Sequence, residues 1–326
     1  MSRVFGHLVD AQSGVLTRRQ LLACGFTPAQ LRAQVRAGRW QRLSRRVYAT
    51  FTGELPRPAM LWAAVLSAGR GAALSHTTAA ELAGLVDNVS PAVHVTVPST
   101  RRITQVDGVV VHHSARIDLA RHPSRQPPQT RIEETVLDLT QQATCLDDAV
   151  GWLTRACGRR LTTPRYLREA MSHRPRVRWR RDLLAALGDV AAGCQSTLEL
   201  RYLRDVERAH GLPSAGRQAA RRRRGGRWYD DVHYDRYRTR VELDGRAAHP
   251  AAYRWRDMRR DNSAAVDGDN VLRYGWSDVT ERGCEVAAQV ATVLRHHGWQ
   301  GSPRSCGRLC VILKTLGRHS NPKSSR

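Results

Sequence analysis

The residues best placed to do chemistry fall in 228–261, WYDDVHYDRYRTRVELDGRAAHPAAYRWRDMRRD. Acids are scarce in this chain, with 29 Asp and Glu against 53 Lys and Arg. Yet Asp230, Asp231, Glu242 and Asp244 gather around one predicted hairpin, followed by His249, Asp257 and Asp261. Carboxylates concentrated inside a basic protein point to a metal site acting on a polyanion. The spacing predicts one strand over Trp228–Tyr234, a second over Arg240–Asp244, and a turn between Arg236 and Tyr237. That register sets Asp231 directly opposite Glu242, with Cβ atoms roughly 5 Å apart. Glu242 and Asp244 are two apart on one strand and share a face. Oxygen ligands of this kind suit Mg²⁺ or Mn²⁺. The alternative is an exposed hairpin whose acids pair with Arg238 and Arg240. Val232, Val241 and Leu243 favour half-buried strands, where an acid needs a cation close by. His249, five residues after Asp244, is placed to act as general base or acid.

The elements flanking these residues would have to position them. Ser196 followed by Glu199 reads as a capping box, and Leu198, Tyr202, Leu203 and Val206 line one face of the helix it starts. Gly211 ends that helix. Arg221, Arg222, Arg223 and Arg224, with two glycines after them, form a basic turn suited to a phosphate backbone. The segment after His249 reads as a helix whose Arg256, Arg259 and Arg260 can hold phosphate. VLRYGW reads as a buried strand, and Asp278 as the cap of the final helix.

Composition fixes the class of partner. The formal net charge is +24, and the basic residues are nearly all arginine, with Lys314 and Lys323 the lysines. A field of that sign favours nucleic acid or an anionic membrane surface. Cys24, Cys145, Cys157, Cys194, Cys284, Cys306 and Cys310 are odd in number and form no CxxC pair, which argues against a disulfide framework or a zinc site. MSRVFGHLVD lacks a signal-peptide core, and no run of roughly 18 apolar residues occurs. The expectation is a cytoplasmic protein with no membrane partner.

Residues 1–54 read as a winged helix-turn-helix. Val4, Leu8 and Val9 suggest the inner stripe of a first helix. Thr17 caps a second helix that stops at Gly25. Thr27-Pro28-Ala29-Gln30 is a strong start signal for a third, carrying Leu31 and Val35 inward and Arg32 and Arg36 outward. WQRLSRRVYAT then reads as a two-stranded wing bearing Arg42, Arg45 and Arg46. In such modules the second helix of the turn enters the major groove and the wing touches backbone. Residues 55–190 read as a mixed α/β middle region. VHVTVP and GVVVHH are strands, Ser75 is expected to cap the helix after it, and adjacent His112 and His113 face opposite sides of their strand. Residues 301–326 read as a poorly ordered tail.

Two resemblances sharpen these expectations. LTRRQLLACGFTPAQLRAQVRAGRWQRLSRRVYAT, 16–50, resembles the N-terminal region of abortive-infection type IV antitoxins, which implies DNA binding and a cognate toxin as partner. Residues 196–279 carry S-T-L-E, W-Y-D-D, V-E-L-D-G-R-A-A-H, W-R-D-M-R-R-D-N and V-L-R-Y-G-W-S-D-V. These resemble a group of uncharacterised domains related to very-short-patch-repair endonucleases, within the PD-(D/E)xK nuclease superfamily. The resemblance implies a restriction-endonuclease-like α/β domain over 191–300 that cleaves DNA with Mg²⁺ or Mn²⁺. It implies Glu199 as the helix acid, Asp231 and Glu242 as metal ligands, Asp244 as partner of Glu242, and His249 as the catalytic-type histidine. Asp244 stands where the superfamily carries lysine, so metal and arginine would stabilise the transition-state charge. The chain as a whole is expected to be an α+β multidomain protein. Its function is expected to be metal-dependent DNA cleavage or, alternatively, antitoxin-type repression in which the C-terminal domain only binds.

Overall fold

The computed structural model describes residues 3–103, 107–194, 196–223, 226–244 and 270–319. The side chains of 218–223, 226–230, 244 and 317–319 lie outside the described set. The chain divides into two compact units, 1–144 with 159–178 and 145–158 with 179–326.

The first unit opens with α1 (Arg3–Ala11), β1 (Val15–Thr17), α2 (Arg18–Ala23), α3 (Pro28–Arg36), β2 (Gln41–Arg42) and β3 (Val47–Ala49). The strands pair antiparallel in the order β1-β3-β2. The caps predicted at Thr17 and Thr27 form. Thr17 Oγ1 accepts from Gln20 N–H while the Gln20 side chain takes Thr17 N–H, and Thr27 and Gln30 repeat the arrangement. Each box satisfies backbone donors that a helix start leaves unpaired. Gly25 and Gly38 stop the two helices at φ values of 93° and 65°, a region glycine enters without a Cβ penalty. The inner stripe of α1 is shifted from expectation. Phe5 is buried with Leu8 and Val9 behind it, while Val4 is 61% exposed. Phe5, Leu8 and Val9 follow the i, i+3, i+4 spacing of one helix face, and Phe5 fills an aromatic cluster with Phe26 and Trp40.

The core continues past residue 55. Val15, Val47 and Ala49 pack against Ala59 and Trp62 of α4 (Arg57–Ala68). Next come β4 (Ala73–Leu74), α5 (His76–Leu82), β5 (Val93–Pro98), β6 (Val109–Ser114), α6 (Ile117–Ala120) and α7 (Ile132–Gln142). The second sheet runs β4-β5-β6, antiparallel between β4 and β5 and parallel between β5 and β6. After α8 (Leu146–Gly158), a member of the second unit, α9 (Pro164–Ser172) completes the first.

The second unit adds α10 (Arg180–Ala191) and α11 (Thr197–Arg201), the latter running directly into a π-helical segment, Tyr202–Arg208. Its sheet has the order β10-β9-β8-β7, formed by β7 (Gly216–Arg223), β8 (Gly226–Tyr234), β9 (Thr239–Asp244) and β10 (Asn270–Gly275). The pairings β7–β8 and β8–β9 are antiparallel, and β9–β10 is parallel. Then follow α12 (Trp276–Glu281), α13 (Gly283–His296) and α14 (Ile312–His319). Leu198, Tyr202, Val206, Val232, Val241, Val286, Val290, Leu294 and Ile312 share one core. Two expectations are corrected here. Asp278 does not start the final helix: it sits in the first turn of α12, where its carboxylate accepts Gly275 N–H at 2.8 Å. The tail is not wholly irregular either, because α14 sets Ile312 and Leu316 into the core.

Candidate nucleic-acid interface

Leu31 is buried at the foot of α3, and Val35 packs beside it one turn on. Burying that side turns Arg32 and Arg36, also one turn apart, to solvent. On the wing, Arg42, Arg45 and Arg46 are exposed while Val47, Tyr48 and Ala49 face the core. Arg39 Nε donates to Gln34 Oε1 at 2.8 Å, and Arg42 Nε to the Ser44 carbonyl at 3.2 Å, so both are steered by neutral partners. Residues 1–50 contain nine arginines and one acid, Asp10. A recognition-type helix and a wing, both presenting guanidinium groups, can neutralise phosphates and offer forked donors to guanine edges.

The carboxylate hairpin has the predicted register. Val232 pairs Val241, His233 pairs Arg240 and Tyr234 pairs Thr239. The ladder ends at Val232 and Val241, and Asp231 and Glu242 are the next residues beyond it on β8 and β9. Both carboxylates are half-buried and already engaged. Asp231 Oδ2 accepts Leu243 N–H at 2.9 Å, and Glu242 Oε2 takes Arg273 Nε from β10 at 2.9 Å. Glu199 is buried in the first turn of α11, where its N–H donates to Ser196 Oγ at 3.1 Å. Asp244 ends β9, with its side chain outside the described set. Arg221, Arg222 and Arg223 lie on β7 rather than in a turn, and their side chains are likewise undescribed. Arg224, His249, Arg256 and Arg260 fall outside the described residues.

The fold also gathers residues that sequence reasoning passed over. His76 opens α5, His94 lies on β5 and His112 on β6, and their ligand-type nitrogens converge within 4.8 Å. The His76 and His112 rings stack at 3.7 Å, and His94 Nδ1 lies 3.0 Å from His112 Nε2. Burial, then the neighbouring His112, His94 and Arg174, push His76 down to about 3. Burial with His94 and His113 puts His112 at about 4, and burial lowers His94 as well. All three rings are therefore neutral near pH 7, the form that hydrogen-bonds through one nitrogen and can hold a transition-metal ion through the other. Ser75 occupies the N-cap position of α5 but does not cap with its side chain. Its Oγ instead contacts His76 Nδ1 at 2.9 Å and accepts Thr96 Oγ1–H at 2.7 Å. His76 and His112 border a cleft of about 570 Å³, whose wall includes Arg116, Glu134, Asp138 and Arg174. Arg174 pairs with Glu134 and, at 2.8 Å, with Asp138. Burial raises Asp138 despite Arg174 beside it. His113, exposed, points away from His112 as the strand alternation requires. The parallel pairing of β5 and β6 puts Thr96 beside His112 and so brings His94 and His112 onto one face.

Comparison with known proteins bears on the N-terminal part. Residues 7–50 match the family model described as "Transcriptional regulator, AbiEi antitoxin". No curated protein matches the chain. Among solved structures, the crystal structure of the RV2827C protein from Mycobacterium tuberculosis is similar at 20% identity with a TM-score of 0.37. The match covers 57% of this chain and 76% of that one. No helix among the described residues is long and apolar enough to cross a membrane. The N-terminal segment thus resembles an antitoxin-type transcriptional regulator.

Proposed function

We propose that the chain is a DNA-binding regulator of the antitoxin type, docking through residues 1–50. In this reading α3 lies in the major groove with Arg32 and Arg36 against base edges and phosphates, and Arg42, Arg45 and Arg46 of the wing grip the backbone. The observation that carries the reading is the exposed arginine face of α3 and the wing, within the segment that matches the antitoxin family model. A cognate toxin is the protein partner that this family description implies. The test is selection of binding sites from a randomised duplex library, followed by gel shifts with wild type and Arg32→Ala plus Arg36→Ala. Recovery of a defined sequence by wild type and its loss in the double variant support the reading. Equal, sequence-independent binding by both sinks it.

A second reading, cleavage of DNA phosphodiesters with Mg²⁺ or Mn²⁺, draws on Asp231 and Glu242, the residues next beyond the Val232–Val241 pair of β8 and β9. The oxygen donors fit such an ion in kind, and Arg273 is the group Glu242 would have to release. Asp231 and Glu242 would hold the ion, with Asp244, Glu199 and His249 in supporting roles. A bound metal would supply an activated water and neutralise charge on phosphorus. Metal-dependent nicking that disappears in Asp231→Ala would favour this reading. Equal inertness of wild type and variant across duplex, mismatched and branched DNA would end it.

A further inference from the structure

Far from the carboxylate hairpin in sequence, the second unit assembles a different set of ligands. His210 follows the π-helical segment, Cys284 lies in the first turn of α13, and Cys306 and Cys310 bracket the turn ahead of α14. Their sulfurs and a His210 ring nitrogen all lie within 4.8 Å of one another, and Cys284 Sγ is 3.6 Å from Cys306 Sγ. Zn–S bonds of about 2.3 Å and a Zn–N bond of about 2.0–2.1 Å, set tetrahedrally, put ligand atoms roughly 3.5–3.8 Å apart. The cluster is already close to those separations.

His210 supplies the independent observation. Its ring is fully buried. Nδ1 lies 3.1 Å from the Val206 carbonyl, which can only accept, so the proton sits on Nδ1. Nε2 then carries a bare lone pair, and it has no hydrogen-bond partner. An imidazole tautomer fixed by a backbone carbonyl, with the other nitrogen aimed at thiols, is how metal-bound histidines are oriented. Residues 299–311 form no helix or strand, and Leu309 is 94% exposed. Trp299 packs on the core, Arg295 donates to Gly301 O and Ser302 Oγ, Arg304 N–H donates to the His210 carbonyl at 2.8 Å and Arg304 Nη2 to the Arg208 carbonyl at 2.8 Å, and a turn closes from Cys310 N–H to Gly307 O.

We propose that His210, Cys284, Cys306 and Cys310 bind one structural zinc ion that fastens the segment before α14 to α13 and to the π-helical segment. Each thiol loses its proton to solvent on binding, and the four protein ligands leave no open position for substrate. Cysteine spacing alone gives no sign of such a site, because these residues come from three separate segments. Only Cys306 and Cys310 are near in sequence.

The test uses the full chain, expressed without a histidine tag and purified under reducing conditions. Total metal analysis should find one zinc per chain, and Co²⁺ exchange should give tetrahedral d–d bands with strong thiolate charge-transfer absorption. Cys306→Ser should lose the zinc, whereas Cys145→Ser, outside the cluster, should keep it. Should Cys306→Ser fail to fold, Cys310→His decides the matter. It should retain zinc while the cobalt charge-transfer intensity falls, because two thiolates remain instead of three. Metal-free folded protein would overturn the proposal. So would a Cys284–Cys306 disulfide in the reduced preparation, or a cobalt spectrum unchanged by Cys310→His.

Discussion

Arg32 and Arg36 occupy positions that sequence reading could identify, because Leu31 and Val35 define the buried face and the arginines are what remains outside. Replacing each with alanine should cost roughly 1–3 kcal/mol if the guanidinium reads a base, with discrimination relaxed at that base. A phosphate contact instead shows as a salt slope lower by about 1 per arginine. Fluorescence anisotropy across a salt series separates the two. Arg174 is a structural counterpart, buried against Glu134 and Asp138. Arg174→Ala takes a partner from Glu134 and Asp138, though Glu134 keeps Arg116 at 3.4 Å, and should destabilise the fold by about 1–3 kcal/mol in urea unfolding. Arg176→Ala, an exposed neighbour, should stay within about 0.5 kcal/mol. The histidine trio was not legible, since no local pattern says that the strands bearing His94 and His112 are parallel neighbours. His210 was invisible for the same reason: its role depends on a carbonyl four residues back and on thiols at least 74 residues ahead.

At the scale of elements, the parts written in local rules came through. The capping boxes at Thr17 and Thr27 and the glycine stops form as the residue types demand. The β8–β9 register follows from placing the turn between Arg236 and Tyr237, and it keeps Val232 and Val241 facing the core. What the hairpin pattern left out was the third strand. Parallel β10 brings Arg273 beside Glu242, so the acid meets an arginine from its neighbour rather than Arg238 or Arg240 alone. Arg273→Ala should change stability by no more than about 1 kcal/mol, because the pair is partly exposed. Its informative readout is calorimetry with Mn²⁺: tighter binding in the variant supports a metal role for Glu242, and unchanged absence of binding counts against it. The helix α3 depends on its seat. Leu31→Ala should cost about 2–5 kcal/mol and weaken DNA binding with it, measured by urea unfolding and gel shift on the same preparation.

Taken whole, the molecule carries +24 formal charges, and residues 1–50, which hold the wing and α3, contain a single acid, Asp10. Such a charge promotes binding to any DNA, so affinity alone cannot identify a regulator; its salt dependence and its sequence ratio can. The most direct measurement is a competition titration of the full chain on its selected duplex against a scrambled one, with and without EDTA, for wild type and Arg32→Ala plus Arg36→Ala. The account predicts a preference of at least about a thousandfold for the selected duplex. It predicts that the preference persists in EDTA and collapses in the double variant, while weak non-specific binding remains. A preference that survives loss of both arginines, or that vanishes with EDTA, would contradict it.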